Sequence, residues 1–272
     1  MSYRVRAPWQ VMYASVFAII IRDIQKKFIK SVNTQRSLAF FWIVLEPMLH
    51  IGIWLLIRMV FRHKVMYTPI TPALFILLGA LPFFLFRNML NSAKSSIKAN
   101  KSYYLFRQIK PIDPMIANLI SELLVNAAVF IIILAIFSWF NVPWHIYDFL
   151  FWLINIVAYM ALLLGFSLVI AVLCFFFSFI NIFMSIIMRL AYFFSGVFFS
   201  AATLPPQTRT IMLYNPVFQF IELTRECFMP AYSYIPYASS AYLCKSALIA
   251  LMLGMGLYLA MYQKIMREIE QR

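Results

Sequence analysis

The chain has 272 residues, of which 64% are hydrophobic, 18% aromatic and 12% charged, and 23 Lys and Arg against 9 Asp and Glu give a net charge of +14. Soluble domains run at about 45–50% apolar and about 25% charged, so this composition excludes an ordinary soluble enzyme and an intrinsically disordered chain alike. The solvent it calls for is a bilayer, and the positive charge points to anionic lipid head groups, a polyanionic cargo, or both.

Arg4 and Arg6 ahead of the apolar run 11–21 mimic a signal peptide. No small-x-small cleavage site follows; Arg22-Asp23-Ile24-Gln25-Lys26-Lys27 does, so the segment is expected to be retained. Trp9, Tyr13, Val16, Ile20, Ile24 and Phe28 fall along one side of a helix, with Arg22, Lys26 and Lys30 along another. The spacing predicts an amphipathic interface helix over 8–31, either a plain anchor or a basic collar at the mouth of a cargo path.

A helix needs about 20 apolar residues to cross the hydrocarbon core. Runs free of Asp, Glu, Lys and Arg predict six spans, near 38–60, 70–91, 115–140, 149–176, 181–202 and 242–263. The uncharged run 149–188 would be about 60 Å long as one helix, twice the bilayer, so it must fold back. Ser178-Phe179-Ile180-Asn181 is its polar interruption, and the turn is placed there. Between the second and third spans, Lys94, Lys98 and Lys101 share a helical face, while Ile97, Tyr104 and Leu105 supply an apolar patch. This predicts a short helix over 94–108, either docking into a partner's groove or lying as a solvated basic loop. Pro111 stops it, and Asp113-Pro114 reads as N-cap and first turn of the third span. The segment 204–240 carries Pro205, Pro206, Pro216, Pro230 and Pro236 with apolar residues between, the pattern of short broken helices dipping into a leaflet. Glu222, Arg225 and Glu226 can pair there at i, i+3 and i+4, as a staple, an outer gate, or both.

Charge distribution sets the orientation. Residues 1–36, 87–110 and 264–272 hold seven, six and three basic residues, sixteen of the 23, which predicts both termini on the cytoplasmic side. The cluster Arg58, Arg62, His63 and Lys64 dissents locally. Glu46, Glu122 and Arg189 are the ionisable residues well within predicted spans, away from their ends; Arg189 should face a wet path or a partner, for which Glu46 and Glu122 are candidates. Phe40, Phe41, Trp42, Tyr192, Phe193, Phe194, Phe198 and Phe199 could offer aromatic walls to the apolar C–H faces of sugars, or could simply pack.

No phosphate-cradling loop, nucleophile elbow or zinc-protease motif occurs, so any ATP chemistry must come from another chain. Cys174, Cys227 and Cys244, with His50, His63 and His145, lack metal-site spacing, and no metal is expected. Cys227 and Cys244 could face an oxidising compartment and pair. Nucleic-acid binding, the naive reading of +14, is set aside because the charges flank spans on one side.

Three stretches carry a resemblance: Arg22-Asp23-Ile24 through Leu45-Glu46-Pro47; Leu81-Pro82-Phe83-Phe84-Leu85-Phe86 through Ala99-Asn100 to Lys110-Pro111-Ile112-Asp113; and Asn215-Pro216, Glu222-Leu223-Thr224-Arg225-Glu226, Met229-Pro230-Ala231-Tyr232. In this order and spacing the chain resembles the membrane subunit of ABC-2-type polysaccharide exporters, and among them the capsular-polysaccharide permeases. Ala231, where a glycine is common, and the 58–64 cluster depart from that pattern.

The resemblance implies an all-α polytopic permease in the bacterial inner membrane. It implies a homodimer working with two copies of a cytoplasmic ATPase that binds ATP and Mg²⁺, this chain holding no cofactor. The cargo would be a lipid-linked, acidic polysaccharide, delivered to a periplasmic adaptor and an outer-membrane channel. Under this reading Arg22, Lys26, Lys27, Lys30 and Arg36 form the head-group entrance. Phe40, Phe41, Trp42, Glu46, Arg189, Tyr192 and Phe193 are path candidates. Lys94, Ile97, Lys98, Lys101, Tyr104 and Leu105 form the ATPase coupling helix, and Asn215, Pro216, Glu222, Arg225 and Glu226 form the periplasmic gate. Alternatives are an ABC-2 exporter of O-antigen, teichoic acid, another glycan or lipid, or a drug. From other classes come a membrane-embedded glycan- or lipid-modifying enzyme, which would need clustered acids or histidines, and an assembly protein.

Overall fold

The computed structural model describes residues 8–29, 38–61, 72–104, 109–229, 232 and 237–271, with the side chains of 8–12, 15, 26–29, 38–43, 55 and 57–61 outside the description. The described residues are all-helical: α1 (Pro8–Ile29), α2 (Leu38–Phe61), α3 (Pro72–Ala99), α4 (Asp113–Trp139), α5 (Phe149–Phe176), α6 (Ile180–Phe194), α7 (Pro206–Leu213), α8 (Pro216–Phe228) and α9 (Ser240–Gln271), with short 3₁₀ turns at Lys101–Tyr103 and Ala201–Thr203. Among the described residues, α3, α4, α5 and α9 are long and apolar enough to cross a membrane, and α6 is apolar but shorter, at 15 residues.

Local chemistry sets the helix starts. The Asp148 carboxylate accepts from Phe151 N at 2.9 Å to open α5. Asn215 Oδ1 accepts from Val217 N at 3.0 Å with Pro216 in the first turn of α8. Asp113 acts differently from the expected N-cap: its carboxylate reaches back to Lys110 N at 2.9 Å and closes the turn before α4.

α3 is the central post of the bundle, touching α2, α4, α5, α6 and α8, and over 72–86 it is apolar on every side. α9 buries a single stripe, Leu243, Ala247, Ala250, Gly254 and Tyr258, against α5. Its other face exposes Leu248, Ile249, Met252, Leu253 and Leu259, as a helix wall in lipid does. The tight α5–α9 crossing rests on Gly165 and Gly254. A Cβ on Gly165 would strike the Ala250 backbone, and one on Gly254 would strike the Gly165 carbonyl.

Contacts sort the helix ends into two levels. At one end, Arg22 of α1 bonds Asn100 after α3 (2.8 Å), Lys98 of α3 lies over the Phe175 ring of α5 (5.9 Å), and Lys264 of α9 lies over Phe176 (5.1 Å). At the other end, Arg225 of α8 meets Phe75 near the start of α3, Tyr147 N donates to Cys227 O (2.9 Å), and Ser240 Oγ donates to Asn155 Oδ1 (2.7 Å). The first end is a basic rim; the second is closed by α7 and α8.

Two expectations change. The coupling helix over 94–108 is not a separate element. Lys94, Ile97 and Lys98 complete α3, Asn100 folds back on Ser96 O (2.8 Å), and a single 3₁₀ turn follows. The apolar positions that suggested a docking patch, Ile97 and Tyr104, are 2% and 4% exposed because they continue the inward side of the bundle. Leu105 lies outside the described residues. The expected span 181–202 is helical only to Phe194, where Ser195 and Gly196, at φ +80°, turn the chain. The following segment tucks Val197 and Ala201 into the core. The fold-back falls as expected at Phe177–Phe179, with Asn181 Nδ2 bonded to Ser178 O (3.1 Å).

Candidate functional site

A cavity of about 490 Å³ opens between α2, α3 and α6, lined by His50, Phe83, Phe84, Arg87, Asn91, Ser185, Met188, Arg189, Tyr192 and Phe193. It differs from the apolar packing elsewhere in what its walls carry. Arg87 Nη2 pairs with Glu46 Oε1 at 2.7 Å, and its guanidinium lies 4.7 Å over the Phe84 ring. Lys94 Nζ donates to Asn91 Oδ1 (2.8 Å) and to Ser185 Oγ (3.0 Å), tying the basic end of α3 to α6. Arg189 is exposed and makes no ion pair among the described residues; the Glu46 considered for it is taken by Arg87. Glu122 is buried on α4.

The aromatic wall is continuous. Tyr192 meets Phe83 (5.0 Å) and Phe198 (4.8 Å) between ring centroids, and His50 stands edge-on to Phe84 (5.4 Å) and Tyr192 (5.3 Å). Two polar atoms on this wall, His50 Nε2 and Tyr192 OH, are buried without a hydrogen-bond partner among the described residues. Buried polar atoms are normally satisfied, so an orphan pair facing a cavity marks a place where water or a hydroxyl-bearing ligand completes the bonding. Sugars match this lining: C–H faces for the rings, hydroxyls for the orphans, anionic groups for Arg87 and Arg189.

The predicted residues are therefore divided. Arg189, Tyr192 and Phe193 line the cavity, and Glu46 borders it through Arg87. Phe40, Phe41 and Trp42 lie on α2 but their side chains are outside the description. Phe194 points elsewhere, 53% exposed, and Phe199 packs on Phe218 (5.9 Å). Sequence reading missed His50, Phe83, Phe84, Arg87 and Asn91. Arg87 was counted with the cytoplasmic charges, and no local signal links it to a glutamate 41 residues away.

At the basic end, Arg22 is engaged within the chain, contrary to an open entrance role. It bonds Asp23 (2.9 Å) and Asn100 (2.8 Å) and lies 4.6 Å over the Tyr103 ring, so it fixes α1 to the turn after α3. Tyr13, Phe17 and Ile21 form an exposed row on α1, while Ile19 packs inward. Lys26 and Lys27 lie on α1 with side chains outside the description; Lys30, Arg36, Arg62, His63 and Lys64 lie outside the described residues. Lys98 is exposed and Lys101 half-buried.

At the opposite end two of the predicted gate residues, Glu222 and Arg225, meet. Arg225 has no exposed surface. Its Nη1 donates to Phe199 O and Glu222 Oε1 (both 3.1 Å), its Nη2 to Val197 O (3.0 Å) and Phe75 O (3.3 Å), and it stacks 3.5 Å over the Phe75 ring. Glu222 also accepts from Tyr232 OH (2.7 Å) and from Ala201 N (3.1 Å). Thus one buried pair staples α8 to α3 and to the turn after α6.

Glu226, one turn along, is half-buried. Cys227 is buried, and all three cysteines are free thiols, so the considered Cys227–Cys244 bridge is absent. No cluster of metal-ligating side chains occurs among the described residues.

Comparison with known proteins adds a lineage to this geometry. The ABC-2 type transporter family matches residues 9–229. The polysialic acid transport protein KpsM of Escherichia coli is 30% identical over 253 residues, covering 93% of this chain and 95% of that protein. The capsule polysaccharide export inner-membrane protein CtrC of Neisseria meningitidis serogroup A is 28% identical over 245 residues, 88% of each chain. BexB of Haemophilus influenzae, of the same description, is 24% identical over 88% of this chain and 87% of its own. Helical architecture and a match over most of the length agree: this chain belongs to the ABC-2 type transporter family, as a membrane transport subunit.

Proposed function

We propose that this chain is the permease of an ATP-driven exporter that carries a lipid-linked, acidic capsular polysaccharide across the bacterial inner membrane. The cavity between α2, α3 and α6 carries the reading: two arginines and two unsatisfied polar atoms stand in an aromatic wall inside an otherwise apolar bundle. The relatives, described as polysialic acid and capsule polysaccharide transport proteins, support the same class of cargo.

In this reading α2, α3, α4, α5, α6 and α9 are six spans, and the basic rim, with both termini, lies in the cytoplasm. α7 and α8 are re-entrant outer gate helices. Two copies face each other across the exposed row Ile182, Phe183, Ile186, Leu190 and Phe193 of α6, closing the open side of each cavity into one path. ATP and Mg²⁺ bind in two copies of a separate subunit, which docks at the rim through Lys98 and Lys101 in place of the buried Ile97 and Tyr104. Its strokes reach the path through Lys94, which joins α3 to Ser185 of α6. A periplasmic adaptor and an outer-membrane channel receive the polymer.

Arg189 supplies the test. A hydrogen bond to a charged group contributes about 1.5–3 kcal/mol, so Arg189→Met should reduce surface capsule roughly tenfold or more at unchanged protein level, with Arg189→Lys intermediate. Wild-type capsule in Arg189→Met would remove Arg189 from the path. Deletion of the gene with no loss of capsule would instead favour another cargo of the family.

A further inference from the structure

A second hollow, of about 370 Å³, lies on the opposite side of α3, between α3, α4, α5 and α8. Leu77, Leu81, Ala127, Phe130, Trp152 and Phe220 are among its walls. Three of its polar neighbours are already occupied: Tyr159 OH donates to Pro82 O (2.9 Å), Asn126 Nδ2 to Glu122 O (2.9 Å) and Thr224 Oγ1 to Phe220 O (2.8 Å). Water needs two to four polar partners to stay in such a space, so an apolar hollow in a bilayer fills with hydrocarbon or not at all.

Its placement says which hydrocarbon. Leu124 and Ile131 of α4 and Leu150 and Leu153 of α5, on the helices that flank it, are exposed, so the hollow borders the lipid-facing surface. Along α5 it runs from Phe149 to Tyr159, about 15 Å at helical rise, which is half of the roughly 30 Å hydrocarbon core and so one leaflet deep. At its shallow end, where α5 begins, the Trp152 ring closes the wall. A slot one leaflet long and lined by hydrocarbon fits one acyl tail.

We infer that this slot binds one acyl chain of a phospholipid from the leaflet on the α8 side, its tail lying along the Trp152 ring. Because Phe220 and Thr224 of α8 form its inner wall, the bound tail stands directly behind the segment held by Arg225. The site is separate from the polar cavity and does not depend on what that cavity carries.

The full chain, purified from mixed phosphatidylethanolamine–phosphatidylglycerol vesicles and probed by native mass spectrometry, should retain about one phospholipid per copy. Ala127→Phe, which fills the slot, should lose it while keeping its helical circular dichroism. Absence of retained lipid in the wild type, or equal retention in Ala127→Phe, overturns the site. A co-purifying membrane peptide in the lipid's place would overturn it as well. Should Ala127→Phe fail to fold, wild type and Trp152→Phe are compared in vesicles of phospholipid brominated on its acyl chains. Trp152 should account for a clear share of the fluorescence quenching. A Trp152 shielded from bromine would mean that no tail enters.

Discussion

Arg225→Met should prevent the chain from accumulating in the membrane. The substitution removes donors to Phe199 O, Val197 O, Phe75 O and the Glu222 carboxylate in one step, and it leaves Glu222, 2% exposed, without its counter-ion. Breaking a buried ion pair from one side costs about 3–5 kcal/mol, a large part of the stability of a domain this size. Replacing the pair with neutral groups costs less, so the double variant Arg225→Met/Glu222→Gln should regain part of the loss, its amide oxygen accepting from Ala201 N and its amide NH2 donating to Tyr232 OH, where the two carboxylate oxygens now accept. Arg225→Lys should also fall short, because one compact ammonium cannot reproduce the contacts that Nη1 and Nη2 divide among Phe199 O, Glu222, Val197 O and Phe75 O. Fluorescence-detected size exclusion of tagged protein reads each outcome. Wild-type amounts of monodisperse Arg225→Met would mean that the network does not hold α8.

Gly165→Leu should separate α5 from α9. The added side chain meets the Ala250 backbone, which no rotamer change can move aside, so the helices must part along their longest mutual contact. Overpacking costs about 1–3 kcal/mol where side chains can shift and more where backbone blocks the way. Gly254→Leu should do the same from the facing helix. Gly256, two residues on, has open space for 4 Å around the point a Cβ would occupy. Gly256→Ala should therefore be neutral or stabilise by about 0.5–1 kcal/mol through helix propensity. Thermal unfolding of the three variants in one detergent separates them: a Gly165→Leu midpoint equal to that of Gly256→Ala would rule out close packing at this crossing.

Much of this architecture is written locally. Asp148 and Asn215-Pro216 announce the starts of α5 and α8, and Ser178–Asn181 announces the fold-back, because capping and turn chemistry act within a few residues. The gathering of basic residues at one rim follows from their spacing alone. What local patterns could not give depends on partners far along the chain. Ile97 and Tyr104 look like an amphipathic docking patch at helical spacing, and only the bundle decides that this face turns inward. Arg22 looks like a free cation until Asn100 and Tyr103 arrive beside it. The end of α6 depends on the core's demand for Val197 and Ala201, which an uninterrupted apolar run conceals. Gly165 and Gly254 are solitary in sequence and touch only after α5 and α9 cross. For the cavity, Arg189 and Tyr192 were legible as a charge and an aromatic within one span. Arg87 and His50 were not, since nothing near them in sequence reports a pairing with Glu46 or an edge-on approach to Tyr192.

Everything proposed for this chain's activity turns on glycan passing through the cavity between α2, α3 and α6. A photo-reactive amino acid at Tyr192 tests this most directly, in cells that make capsule and carry the partner ATPase, with the same group at lipid-facing Leu153 as control. Illumination should attach polysaccharide to the chain from position 192, read as a glycan-positive band of increased mass, and not from position 153. Glycan adducts absent at 192, or equally abundant at 153, would mean that the polymer does not cross here.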